Sequence, residues 1–127
     1  MSEDPVSLPE VKDRSPASLL VAIANPHPDR EYEVSCTTPE LTCVCPMTGQ
    51  PDFATVTITY VPDKLIVELK SLKIYLFGYR NEGAFHEDIT NRILGDLVGV
   101  LSPRRMSVVT DWNVRGGIHT VVSAAFP

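Results

Sequence analysis

The clearest pattern in the chain runs from residue 53 to 61. Ala54, Val56, Ile58 and Tyr60 fall on one face and Thr55, Thr57 and Thr59 on the other, which is the period of a half-buried strand. Pro62-Asp63 predicts a turn, and Lys64 to Glu68 the returning strand of an antiparallel hairpin. From Leu69 the period becomes helical. Leu69, Leu72, Leu76 and Tyr79 share a face, Lys70, Lys73 and Arg80 lie off it, and Asn81-Glu82-Gly83 ends the helix. A second helix is predicted from near Ala84. Glu87 and Asp88 lie in its first turn, where acids suit the helix dipole. Its apolar stripe is Ile89, Ile93, Leu97, Val98 and Leu101, and Ser102-Pro103 stops it. Met106 to Val114 reads as a strand, Arg115-Gly116-Gly117 as a tight turn, and Ile118 to Ala124 as the last strand. Upstream, Glu31 to Thr37 alternates loosely until Pro39. Leu41 to Cys45 then leads into a turn built from Pro46, Gly49 and Pro51.

The resulting order, ββααββ, predicts an α+β fold: a four-stranded antiparallel sheet with two helices on one face. The other face is expected to be partly wet or covered in an oligomer. Its two open edges call for protection, which ring assembly would supply. Residues 1–30 hold Pro5, Pro9, Pro16, Pro26 and Pro28 and no sustained period. They read as an N-terminal arm with one apolar anchor, Leu19 to Ile23, ahead of a single domain over residues 31–127.

A chain of 127 residues can bury a real core without disulfide staples. The net charge of -5 argues against bulk nucleic-acid binding, which needs a basic surface. The apolar run Leu19 to Ala24 is too short for a signal-peptide core or a bilayer span, so no membrane partner is expected. Three cysteines without framework spacing fit a reducing cytoplasm.

Cys45 and Asp52 flank the proline-glycine turn. A thiol and an acid on one rigid loop suit nucleophilic chemistry, with Asp52 as proton donor and acceptor. Cys45 also reads as a buried structural thiol, or as a zinc ligand with Cys43 and His86, and Asp52 as a strand-entry aspartate. Lys70 and Lys73 point the same way on their helix, as a solvated basic face or as a phosphate pocket that Arg115 could join. Glu87 reads as a helix-dipole acid, or as a carboxylate accepting two parallel hydrogen bonds from a guanine-like ring. His86 beside it reads as a packing residue or a ligand contact.

Taken together, Cys45-Pro-Met-Thr-Gly-Gln-Pro-Asp52, Glu68-Leu-Lys-Ser-Leu-Lys-Ile-Tyr75, Phe85-His-Glu-Asp88 and Arg115-Gly-Gly117 resemble the single-module QueF family, the NADPH-dependent 7-cyano-7-deazaguanine reductases of queuosine biosynthesis. The resemblance runs from about Glu31 to Val121. It implies a tunnelling fold (T-fold) and a homodecamer of two pentameric rings with sites between subunits. It also implies a small deazapurine substrate and no direct nucleic-acid partner. In the implied chemistry Cys45 attacks the nitrile carbon to form a thioimide, Asp52 protonates the nitrogen, and NADPH reduces in two steps. His86, Glu87 and the segment Val67, Glu68 and Leu69 match substrate contacts. Lys70, Lys73 and Arg115 match NADPH phosphate contacts, and no metal is required. Gly-x-Gly-x-x-Gly is absent, which is consistent with a side-chain phosphate pocket. The rival readings are a T-fold amidinotransferase, a zinc-dependent cyclohydrolase of the same fold, and a non-catalytic purine-binding module.

Overall fold

The computed structural model describes residues 16–127; the first half of the expected arm, residues 1–15, lies outside them. A 3-10 turn at Ala17–Leu19 leads to β1 (Ala22–Ala24). Then come β2 (Val34–Val44), β3 (Pro51–Val61), β4 (Leu65–Val67), α1 (Leu69–Phe77), α2 (His86–Leu101), β5 (Arg105–Trp112) and β6 (Val121–Phe126). β2, β3, β5 and β6 form an antiparallel sheet in that order. Within this sheet and its helices the succession is the expected ββααββ, and both helices cover the face that carries Val56, Ile58 and Val108.

The hairpin partner of β3 is not the one expected. Residues 65–67 leave the main sheet and pair with β1, Ala22 opposite Val67 and Ala24 opposite Leu65. Both edges of β3 are taken by longer strands, β2 and β5, so a three-residue run cannot compete for either. The arm's apolar anchor supplies the partner instead, and Leu20 enters the core. β2 is also longer than expected. It passes through Pro39 with a register shift between Thr38 and Leu41. Proline is tolerated there because β2 is an edge strand, where one row of N–H groups has no ladder partner, and the bulge absorbs the misfit. β6 starts at Val121 rather than Ile118, because residues 113–120 form a loop that carries the Arg115 turn.

α2 supplies most of the helix-to-sheet contact. Ile89, Ile93, Leu97 and Leu101 are all but fully buried, each contributing about 1.5–3 kcal/mol. α1 packs differently from its predicted stripe. Leu69 is 55% exposed, whereas Leu72, Tyr75 and Leu76 face inward. The helix ends at Phe77, and Tyr79 is buried just beyond it. Among the described residues no helix is long and apolar enough to cross a membrane.

Between the helices lies a buried polar cluster. Tyr75 donates to Asp96 at 2.5 Å, and the Tyr75 and Tyr79 hydroxyls are 2.6 Å apart. The Arg92 guanidinium touches the Glu82 carboxylate, whose side chain is wholly buried. Arg92 is the cation that faces this carboxylate, and, against the lowering effect of burial, Glu82 in turn holds the Arg92 guanidinium above its ordinary value.

Candidate active site

Cys45 follows the last residue of β2, at a point where the strand meets the segment leading into α2. Val44 N–H donates to Glu82 O at 2.9 Å, and Ala84 N–H donates to Val44 O at 3.1 Å. This short parallel bridge sets Cys45 beside the N-terminus of α2. The loop then closes on itself: Cys45 N–H donates to Gln50 O at 2.8 Å and Gly49 N–H to Cys45 O at 2.9 Å. Gly49 takes φ +76° to do so, a conformation that glycine adopts without steric cost. β3 begins directly after the loop, and its second residue is Asp52, pointing inward and 8% exposed.

The Asp52 carboxylate is held on both sides. Arg115 Nη1 donates to Oδ1 at 3.0 Å, and His86 Nε2 lies 3.2 Å from Oδ2. Arg115 also donates to Pro51 O at 2.7 Å and to Gln50 Oε1 at 2.6 Å. The guanidinium is carried on a two-residue turn closed by both Arg115–Ile118 backbone bonds. Gly116 and Gly117 have φ +58° and +78° there, as a hairpin turn of this length requires. Cys45, Asp52, Phe85, His86, Glu87 and Arg115 line one cavity of about 290 Å³. A nucleophile, a carboxylate, an imidazole and a second, exposed carboxylate thus converge on it.

The three thiols, all free, have different environments. Hydrogen bonds from the Thr48 hydroxyl and then the Met47 and Thr48 N–H groups hold the Cys45 thiol below its ordinary value. Burial, reinforced by the Asp52 and Glu82 charges, pushes Cys43 up to about 12. Burial also raises Cys36. Only the thiolate alkylates, so iodoacetamide at neutral pH is expected to label Cys45 at least tenfold faster than either other thiol. Peptide mass mapping over time checks this; labelling of Cys43 at a comparable rate would contradict it.

The remaining candidates lie elsewhere on the chain. Val67 N–H donates to the Tyr60 hydroxyl at 3.0 Å. Tyr60 is eight residues along β3 from Asp52, a span on the order of 25 Å. Val67, Glu68 and Leu69 are therefore at the opposite end of the sheet from Cys45. Both Glu68 carboxylate oxygens cap α1, accepting from Lys70 N at 2.7 Å and Ser71 N at 2.8 Å. Those two N–H groups hold its carboxyl below the usual range. Lys70 and Lys73 are exposed on α1. Lys73 lines a separate groove of about 810 Å³ between α1 and β2, with Cys36, Leu72, Ile74 and Phe77. One chain thus brings together Cys45, Asp52, His86, Glu87 and Arg115, but not Arg115 with the two lysines.

Several participants carry no sequence signal of their own. Gln50 looks like an ordinary turn residue, and Thr48 like a spacer in the motif. Trp112 reads only as an inward strand position, yet its ring stacks on His86. The chain's single tryptophan, at the end of a strand, is the one hint that sequence offers. Among the described residues, no three His, Cys, Asp or Glu side chains gather as a metal-binding set.

Comparison with known proteins bears on this geometry. The profile of a family described as QueF-like protein matches residues 51–126. A protein of Thermomicrobium roseum called NADPH-dependent 7-cyano-7-deazaguanine reductase is 64% identical over 111 residues, 87% of each chain. One of the same name from Nitrosococcus oceani is 55% identical, covering 84% of this chain and 83% of its own. The crystal structure of the archaeosine synthase QueF-Like in the apo form superposes with a TM-score of 0.69. It shares 22% identity and covers 73% of this chain and 91% of its own. That likeness identifies the fold as a T-fold.

Proposed function

This chain belongs to the family of QueF-like proteins, and we propose that it reduces the nitrile of 7-cyano-7-deazaguanine to 7-aminomethyl-7-deazaguanine with NADPH, as a step of queuosine biosynthesis. The observation that carries this reading is the convergence of Cys45, Asp52, His86 and Glu87 on one cavity.

A nitrile is a poor hydride acceptor until a nucleophile adds to it. Cys45, its thiol poised below the ordinary range, adds to the nitrile carbon. The nitrogen gains the electron pair and takes a proton from Asp52, giving a covalent thioimide. His86, in contact with Asp52, is placed to resupply that proton. The Cys45 sulfur leaves once the carbon has been reduced, releasing an imine that is reduced again to the amine. NADPH supplies the hydride for each reduction. Glu87, exposed at the start of α2, accepts the paired N–H groups of the deazaguanine edge.

For the cofactor, Lys73 offers a cation on a largely apolar groove, and Lys70 a second, three residues earlier on the same helix. Phosphates and a flat base would suit that combination. Arg115, bonded to Asp52 here, would serve the cofactor from the reacting side. The segment Val67 to Leu69 and the two lysines lie far from Cys45 within one chain. A complete site therefore takes its nucleophile from one subunit and its α1 residues from another, which supports an oligomer; its form in this reading is the homodecamer of two pentameric rings. Three free thiols suit a cytoplasmic setting, and a small deazapurine, rather than a nucleic acid, is the partner.

The test is incubation with 7-cyano-7-deazaguanine in the absence of NADPH, followed by intact-mass measurement. The expected result is one substrate adduct per chain on Cys45, consumed when NADPH is added. No adduct together with no NADPH oxidation would overturn the reading.

A further inference from the structure

His86 is gripped by residues that do not line the reacting cavity. Its imidazole lies flat on the Trp112 indole, with centroids 3.8 Å apart and planes within 3°. Its main-chain carbonyl accepts from the Thr90 hydroxyl at 2.7 Å. The two contacts are joined behind the ring. Trp112 Nε1–H donates to Thr110 Oγ1 at 2.8 Å, and the Thr110 and Thr90 hydroxyl oxygens are 2.6 Å apart. One proton order uses each donor once: Trp112 to Thr110, Thr110 to Thr90, Thr90 to the His86 carbonyl. Thr90 and Thr110 are fully buried and Trp112 is 1% exposed. None of them can turn away without leaving a buried polar group unpaired.

Strand register explains the placement. β3 and β5 pair Ala54 with Trp112. Ala54 follows Asp52 on the same inward face, and its methyl group leaves room for an indole beside the carboxylate. A histidine in the first turn of a helix otherwise rotates about both side-chain torsions. Here rotation would break the stack and carry Nε2 away from Asp52. The charged and titratable groups around the ring are Asp52 on β3, Cys45 on the preceding loop, Glu87 on α2 and Arg115 beyond Asp52.

We propose that Trp112, backed by the Thr110–Thr90 pair, is a positioning residue for the reaction: it fixes the His86 ring against Asp52 and thereby speeds capture of the nitrile by Cys45. This rests on the reading of Cys45, Asp52 and His86 as the reacting set. Trp112 itself does not line the reacting cavity.

Trp112→Phe, Trp112→Leu and Thr110→Val test it in the full chain. The rate of adduct formation on Cys45 is followed by rapid quench and intact mass across a range of pH. Trp112→Phe keeps a stacking ring and is expected to stay within about threefold of the parent. Trp112→Leu should be slowed about tenfold, a fraction of the roughly 10²–10⁴ that a positioned proton-transfer group supplies, with an altered pH profile. Thr110→Val should fall between them, and it carries the test if the leucine variant does not fold. Parental rates and pH profile in Trp112→Leu, or in Thr110→Val should the leucine variant not fold, would overturn the proposal. So would a slowing that phenylalanine does not rescue, or one that leaves the pH profile unmoved.

A second readout needs no activity. The only tryptophan is stacked on His86, and imidazolium quenches indole emission. Its fluorescence should therefore change with pH in the parent and lose that transition in His86→Asn. If the parent forms no adduct and oxidises no NADPH, the functional reading fails on its own. The fluorescence titration then decides whether Trp112 holds His86, and a transition that survives in His86→Asn, or is absent from the parent, overturns the positioning.

Discussion

Cys45→Ala is expected to lose NADPH oxidation by at least roughly 10⁴-fold, as removal of a covalent nucleophile does elsewhere, while retaining its affinity for the deazapurine. The double variant Lys70→Ala/Lys73→Ala should lose activity at limiting NADPH, because each cation forfeits a charge-assisted hydrogen bond worth about 1.5–3 kcal/mol. The decisive measurement mixes the two. In one chain Cys45 and the segment leading into α1 lie at opposite ends of the sheet, so in the proposed function a complete site draws on two copies. When the inactive subunits are unfolded together and reassembled in equal amounts, roughly one site in four should receive an intact cysteine and intact lysines. Activity should return to about that fraction of the parent. A mixture as inactive as its components would mean that each chain builds its own site.

The second large effect is on stability. Arg92→Met leaves the buried Glu82 carboxylate without its counter-charge. Breaking one side of a buried ion pair costs about 3–5 kcal/mol, against a total stability of about 5–15 kcal/mol for a domain. Urea denaturation should show a midpoint lowered in proportion, with an unchanged slope. Glu82→Leu combined with Arg92→Met removes both charges and should recover at least half of the loss, since well-packed apolar replacements are often neutral or stabilising. Glu82 is also the residue whose carbonyl accepts from Val44. The single variant should therefore slow adduct formation on Cys45 even where it remains folded. A stability loss below about 1 kcal/mol would mean that the carboxylate is already solvated.

Where the chain's pattern is periodic and local, sequence reading found the right elements. α2 keeps its expected stripe through Ile89, Ile93, Leu97 and Leu101 because a helix's buried face follows from spacing alone. β3 keeps its alternation for the same reason. Reading failed where two segments compete for one partner. Lys64 to Glu68 has strand character and follows a turn, yet it loses β3 to β2 and β5 and joins the arm. Pro39 looks like a strand end, and it is one only if the strand is not at an edge. Leu69 fits the predicted stripe of α1, but the Glu68 cap and the packing of Tyr75 turn the helix so that Leu69 faces out.

The site divides along the same line. Cys45, Asp52, His86 and Glu87 could be named from motifs, because their chemistry is written in residue type and spacing. That Arg115 clasps Asp52, with Lys73 on a separate groove, depends on how β5 and its loop return to β3. That Trp112 lies on His86 depends on the β3–β5 register. The thiol-acid loop that marks this chain as a candidate enzyme was thus determined by sequence. That the imidazole, guanidinium and indole gather around the acid was decided only by tertiary structure: His86 and Arg115 reach Asp52 across 34 and 63 positions, and Trp112 reaches His86 from a strand to a helix. No local periodicity encodes such distances.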